Sequence, residues 1–329
     1  MENQKTQITE SQRKTLEKQQ YRIIGNHSAV KVCNWTKNMI VGKGSCYKGV
    51  FYGIKSHQCL QMTCSMFCAN RCKFCWRSLK APVAKKWHGE IDEPEFIFDE
   101  AIKQHIKLLQ GFKGFKKSNK IYLNEMKNVR HVALSLTGEP IIYPRINELL
   151  DEFHKRNIST FLVTNAQYPE QIKRINNVTQ LYISLDAPNK ELLKKIDNPV
   201  FSDYWERLIK SIKVLSTRKY RTCIRLTLIK GENMDNSLAE DYAKLINLGN
   251  PCFIEIKAYM HVGDSLKFYM HENMPSSNDI KKFTAEILKF LPNYEFAAEH
   301  YASRVVLLAR RDMTSKRFIY FDRLFCKIV

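Results

Sequence analysis

The sequence predicts an α/β protein built on a parallel sheet, and three observations carry that reading. Between residues 57 and 258, six short runs rich in β-branched and apolar residues alternate with runs of helical period, and strands that alternate with helices pair in parallel. The strand-like runs end in polar residues, as barrel-like α/β folds do at the strand C-termini where their sites assemble. A chain of 329 residues with 44% hydrophobic content can bury one large core, so an elaborated single-domain barrel fits as well as two domains.

Taken in order, residues 1–20 are polar and of mixed charge, which predicts a loosely docked helix away from any chemistry. From 21 to 62, cysteines lie among Gly42, Gly44, Gly49 and Gly53, the pattern of an irregular wrap leading into a first strand over 57–63. Further strands are predicted over 130–136, 159–164, 180–185, 222–229 and 252–258. Helices are predicted between them over 94–110, 144–156, from 169, through 190–216, and over 235–248. Trp205, Leu208, Ile209, Ile212 and Leu215 form one apolar stripe with Lys210 and Lys213 off it, so that helix is an ordinary packing element. Runs 294–299 and 304–309 read as a paired C-terminal appendage that shields the sheet.

Lys and Arg number 53 against 33 Asp and Glu, a formal charge of +20 with a pI near 9.5. That excess predicts a polyanionic partner, nucleic acid above all, against the plainer alternative that Lys-rich coding bias raises the count. No segment approaches the roughly 20 apolar residues a membrane span needs, and the N-terminus lacks the apolar core of a signal peptide. A soluble, cytoplasmic protein with no membrane partner is expected. Seven of the ten cysteines fall between Cys33 and Cys75, too uneven for disulfides, which points to metal in a reducing compartment. Cys223, Cys252 and Cys326 read as small buried hydrophobes.

Cys68, Cys72 and Cys75 form C-x3-C-x2-C, three thiolates with no fourth. Structural zinc wants four ligands, commonly from paired knuckles, whereas three ligands leave one iron of a 4Fe-4S cluster open. An open iron can bind the amino and carboxylate groups of S-adenosylmethionine and deliver an electron to its sulfonium, giving a 5'-deoxyadenosyl radical. Polar strand ends supply candidates to hold that molecule: Thr137, Gly138 and Glu139, then Asn165, Ser184, Asp186 and Arg225. Singly each is weak, since Gly-Glu-Pro commonly makes a turn and Ser-x-Asp a helix cap. A second constellation is Cys33, Cys46 and Cys59, spaced C-x12-C-x12-C, which no local period requires. It fits a second cluster with an open iron able to chelate an oxo-acid, or three merely buried thiols.

With these motifs in place, the chain resembles the archaeal tRNA 4-demethylwyosine synthases, radical SAM enzymes of wyosine and wybutosine biosynthesis. The resemblance rests on the stretch from Cys46 through Lys48 to Cys59, on Phe74-Cys75-Trp76-Arg77, and on Ser135-Leu136-Thr137-Gly138-Glu139-Pro140. It continues through Val163-Thr164-Asn165-Ala166, Ser184-Leu185-Asp186-Ala187-Pro188, the run from Arg225 to Gly231, and that from Glu255 to Gly263. It implies an incomplete six-stranded, TIM-like (β/α)6 radical SAM barrel over 21–310, including the 33–59 segment, with an extension over 1–20 and a tail over 311–329. It further implies two 4Fe-4S clusters, S-adenosylmethionine, pyruvate, and tRNA-Phe carrying N1-methylguanosine, condensed to the tricyclic base by carbon-carbon lyase-type chemistry. Lys48 would form a Schiff base with pyruvate, a role that competes with chelation of pyruvate by the second cluster. Cys64 stands where a non-cysteine is expected and reads as structural. The sequence shows no upstream flavodoxin-like module, so a separate ferredoxin- or flavodoxin-type donor to a monomeric enzyme is expected. The rivals are another two-cluster radical SAM modification of RNA, such as methylthiolation, and a non-enzymatic, zinc-stapled RNA-binding protein.

Overall fold

The structure, a computed structural model, describes residues 8–76 and 82–320. Its described strands form one sheet in the order β1-β2-β3-β4-β5-β6-β7-β8-β10-β9. The central six are β3 (Cys59–Thr63), β4 (His131–Leu134), β5 (Ser159–Thr164), β6 (Gln180–Ser184), β7 (Arg221–Leu228) and β8 (Phe253–Ala258), all paired in parallel. At one edge β1 (Arg22–Ile24) and β2 (Ser28–Val30) add antiparallel to β3; at the other, β9 (Tyr294–His300) and β10 (Val305–Arg310) add antiparallel to β8. The barrel is therefore incomplete: β3 and β8 pair with hairpins instead of with each other. The expected appendage is the β9–β10 hairpin, while the β1–β2 hairpin, with three-residue strands, lies unforeseen inside the expected wrap.

Period-two alternation sorts the sheet into two faces. Leu162, Leu181, Ile183, Ile224, Leu226, Ile254 and Ile256 share one face and are fully buried against the helices, each contributing about 1.5–3 kcal/mol by burial. Helix Ile146–Lys155 meets that layer with Ile146, Leu149, Leu150 and Phe153, and helix Tyr204–Leu215 with Leu208, Ile212 and Leu215. The opposite face carries Tyr182 and Ser184 on β6, Cys223, Arg225 and Thr227 on β7, and Phe253, Glu255 and Lys257 on β8, with Arg225 level with Glu255 and Thr227 level with Lys257. That face becomes polar toward the strand C-termini, so the register itself assembles charged groups inside the barrel.

The wrap is more regular than its sequence suggests. Helices Asn34–Ile40 and Tyr47–Tyr52 start at Cys33 and Cys46 as N-caps, and the second ends at Gly53 with φ +79; such short helices show no readable period. Helix Ser277–Leu288, between β8 and β9, is also unforeseen. Helix Glu10–Lys18 is closed by a Thr9–Gln12 capping box and buries none of its residues, as a loosely docked segment should. Among the described residues no helix is long and apolar enough to cross a membrane.

Candidate active site

The three-cysteine loop follows β3 and is pinned by backbone hydrogen bonds from Cys68 to Pro82, from Arg71 to Asp197 and from Lys73 to Ile196. Cys68, Cys72 and Cys75 line a cavity of about 150 Å³ together with Thr137, Gly138, Glu139, Asn165, Ser184 and Asp186. Gly138 sits there because nothing larger fits: its φ is +71, and a Cβ would lie 2.0 Å from the Ser65 carbonyl oxygen. The next residue, Glu139, is buried, and its Oε2 accepts from the Asn165 backbone N–H at 2.8 Å. Asn165 Nδ2 and the Asn70 backbone N–H both donate to Cys68 Sγ, at 3.3 and 3.4 Å. Sulfur is thus placed as an acceptor, the role a thiolate plays.

Burial, then Asp197, then the neighbouring thiols push Cys72 up, so that thiol keeps its proton until a cation that ligates sulfur replaces it. Burial raises the Asp186 carboxyl to about 6 against a Thr227 hydrogen bond, and raises Asp197 as well, with Asp186 adding to it. Among the described residues no three Cys, His, Asp or Glu side chains converge on a single ion. A 4Fe-4S cluster gives each iron its own thiolate, so three cysteines spread around a cavity fit it, whereas zinc needs four donors at one point.

A second cavity, of about 460 Å³, adjoins the first: Phe74, Cys75, Trp76, Ser135 and Ser184 line both. Its wall carries Cys33, Cys46 and Cys59, so the twelve-residue spacing resolves into two helix N-caps and a strand start that meet in space. Burial, then Cys33, pushes the Cys46 thiol up to about 12; burial does the same to Cys59, opposed by Lys48. Lys48 lines this cavity, is only 8% exposed, and places Nζ 4.5 Å from the Phe161 ring centroid and 5.0 Å from that of Tyr182. Among the described residues it has no ion-pair partner, which sets it apart from the paired surface lysines.

Arg225, expected with the S-adenosylmethionine group, lies in this second cavity instead, its guanidinium 5.4 Å from the Tyr182 ring. It faces inward on β7, level with Ser184 on β6, which lines both cavities, and with Glu255 on β8. Glu255 is completely buried and accepts from Tyr47, Tyr52 and Tyr182 hydroxyls at 3.1, 2.9 and 3.0 Å. Lys257, also on the cavity wall, donates to the Ser303 carbonyl oxygen at 3.3 Å, and burial, then Arg225, pushes it down to about 8. Sequence reasoning gave Glu255, Lys257 and the three tyrosines no roles. Alternation of Glu255 and Lys257 with Ile254 and Ile256 was a usable signal; the tyrosine contacts, across up to 208 residues of chain, were not. Lys230 and Glu232 pair with Asp279 and Lys195 and line neither cavity. Cys64 is fully buried with Sγ donating to the Pro140 carbonyl oxygen at 3.4 Å, and Cys223 and Cys252 are buried; Arg77 and Cys326 lie outside the described residues.

An incomplete parallel barrel with a three-cysteine loop after its first barrel strand defines the radical SAM class, and the superfamily profile matches residues 62–242. A profile described as wyosine base formation matches residues 248–310. The S-adenosyl-L-methionine-dependent tRNA 4-demethylwyosine synthase of mouse is 47% identical over 305 residues, 92% of this chain and 42% of that protein. The rice synthase is 50% identical over 308 residues, 93% of this chain and 47% of that protein, so the chain spans about half the length of these curated relatives. A structure of TYW1 with a lysine-pyruvate adduct bound superposes with TM-score 0.82 at 35% identity, covering 96% of this chain and 99% of that one. Archaeal TYW1 superposes with TM-score 0.76 at 31% identity, covering 95% and 100%. The chain belongs to the TYW1 family. The archaeal branch suggested by its motifs is not what these likenesses show, since the mouse and rice identities exceed that to the archaeal structure.

Proposed function

We propose that the chain condenses N1-methylguanosine of tRNA-Phe with pyruvate to the tricyclic base 4-demethylwyosine, with loss of the pyruvate carboxyl carbon. The observation that carries this reading is the adjacency of two cysteine-lined cavities, one edged by Glu139 and Asp186 and the other by a buried lysine. Cys68, Cys72 and Cys75 would hold one 4Fe-4S cluster with S-adenosylmethionine, and Cys33, Cys46 and Cys59 a second. Bound there, these groups supply one-electron reduction and hydrogen-atom abstraction, with the electron from a ferredoxin- or flavodoxin-type donor.

The chain's own residues position and exclude. Glu139, at the Gly138 turn, accepts from an ammonium group, and Asp186 Oδ1, buried and without a hydrogen-bond partner among the described residues, accepts from a further donor of the same ligand. Asn165, Thr137 and Ser184 complete that wall. Lys48 adds to the pyruvate ketone with loss of water, and the Phe161 and Tyr182 faces that favour its ammonium favour the protonated imine equally. The solved relative with a lysine-pyruvate adduct supports this assignment. The +20 charge suits the anticodon stem phosphates, and the methylated base reaches the cavities by leaving its stack. The protein acts as a monomer in the cytoplasm.

Anaerobic reaction of reconstituted protein with N1-methylguanosine-containing tRNA-Phe, pyruvate and S-adenosylmethionine, followed by nucleoside mass spectrometry, tests the reading. The tricyclic nucleoside is expected; unchanged N1-methylguanosine in protein loaded with about eight irons overturns it.

A further inference from the structure

We propose that Arg225 and Lys257 form a carboxylate subsite in the second cavity, seating a short 2-oxo acid so that its carbonyl carbon meets Lys48. This rests on the reading of that cavity given under Proposed function and goes beyond it, since it gives the carboxylate to cationic side chains instead of to metal. Three cations, Lys48, Arg225 and Lys257, reach the one cavity from three elements. Among the described residues none of the three has a carboxylate at ion-pair distance. The nearby buried acid, Glu255, is engaged by three tyrosyl hydroxyls and has neither cation at ion-pair distance, while the Lys257 ammonium gives one hydrogen bond to the Ser303 carbonyl oxygen.

Cations withdrawn from bulk water without a paired anion are costly, and a small anion entering this cavity relieves that cost. The register fixes the geometry. Arg225 faces Glu255, with Ser184 level with it on the other side, and Lys257 stands one inward position further along the neighbouring strand, beside Thr227, so both cations reach the wall of the same cavity. Arg225 and Lys48 both address the Tyr182 ring, at 5.4 and 5.0 Å from its centroid. A carboxylate held by Arg225 and Lys257 therefore leaves the adjoining carbonyl carbon toward Lys48, whose Nζ forms the C=N bond as the carbonyl oxygen departs as water. Planar, forked guanidinium recognises carboxylate in a way an ammonium does not. The site selects 2-oxo acids over aldehydes and simple ketones.

The test uses cluster-loaded full chain under anaerobic conditions, with pyruvate binding by equilibrium dialysis and borohydride trapping of pyruvate or acetone mapped by mass spectrometry. Arg225→Gln and Lys257→Met are each expected to weaken pyruvate by about tenfold or more, the scale of one charge-assisted hydrogen bond. Trapping of acetone, which has no carboxylate, is expected to stay unchanged, and Arg225→Lys to fall between. Lys48→Gln is expected to lose the trapped adduct yet keep dialysable pyruvate. Should Arg225→Gln fail to load iron, Lys257→Met and Arg225→Lys carry the comparison. If the adduct forms and the cation variants hold pyruvate within about twofold of wild type, the subsite is overturned and the wider reading stands. If pyruvate binding depends on Arg225 and Lys257 and the adduct forms on Lys48, yet methylated tRNA yields no tricyclic base, the subsite stands and the wider reading falls.

Discussion

The two cavities adjoin, share Cys75 and each carry a cysteine triad, yet the charges around them have opposite sign. The first is edged by the carboxyls of Glu139 and Asp186, with Asp197 behind them; the second by the cations of Lys48, Arg225 and Lys257. Three thiols alone would not tell them apart. The surrounding charge does: acids suit a ligand bearing an ammonium, and cations suit one bearing a carboxylate. Cysteine spacing marks where metal can be held, while the strand register decides what else can be held beside it.

The largest expected effect comes from the second cavity. Lys48→Arg keeps the charge but cannot form an imine, so the tricyclic product should fall by about a hundredfold or more while tRNA affinity is kept. Nucleoside mass spectrometry beside a filter-binding titration reads both. Product at near wild-type levels would hand pyruvate activation to the second thiol triad.

The first cavity breaks differently, through its backbone. Gly138→Ala places a Cβ 2.0 Å from the Ser65 carbonyl oxygen at φ +71, at a cost of about 1–3 kcal/mol in local strain. S-adenosylmethionine affinity should fall by about tenfold or more with the pyruvate adduct on Lys48 unaffected. Equal loss at both sites would mean that the cavities are not independent.

Smallest, and confined to stability, is the response at His105. It is fully buried in helix Pro94–Leu109 with neither ring nitrogen hydrogen-bonded, and burial pushes its pKa from 6.5 down to about 4. Between those values the unfolded chain binds the proton and the folded one does not, so stability is lost as pH falls from about 6.5 to about 4, by up to about 3 kcal/mol. His105→Leu should remove that loss, measured as a smaller drop in denaturation midpoint between pH 7 and pH 5. An unchanged drop would place the acid sensitivity elsewhere.

The fold was readable where local pattern and packing agree. The predicted strand over 159–164 matches β5, and the other five central strands match within two residues, because their apolar faces alternate cleanly against helices. Helices Asn34–Ile40 and Tyr47–Tyr52 were hidden because seven and six residues show no period, and their caps are cysteines, which offer no hydrogen-bonding signal. Six of the seven residues expected around the first site do gather there with Cys68, Cys72 and Cys75, since strand C-termini converge whatever the loops do. Arg225 lines the adjoining cavity, since a strand-end position does not say which neighbour across the sheet it will face. Lys48 looked like any surface lysine in sequence, and only the Phe161 and Tyr182 rings, from two other strands, show that it is buried.

The most direct test of the division of labour measures two products in two variants of otherwise folded protein: 5'-deoxyadenosine from S-adenosylmethionine, and the borohydride-trapped pyruvate adduct on Lys48. Cys72→Ala should lose 5'-deoxyadenosine altogether and keep the adduct. The combined Cys33→Ala, Cys46→Ala and Cys59→Ala variant should still release 5'-deoxyadenosine while making no tricyclic base. Loss of 5'-deoxyadenosine to the same extent in both variants would contradict the assignment of separate chemistry to the two cavities.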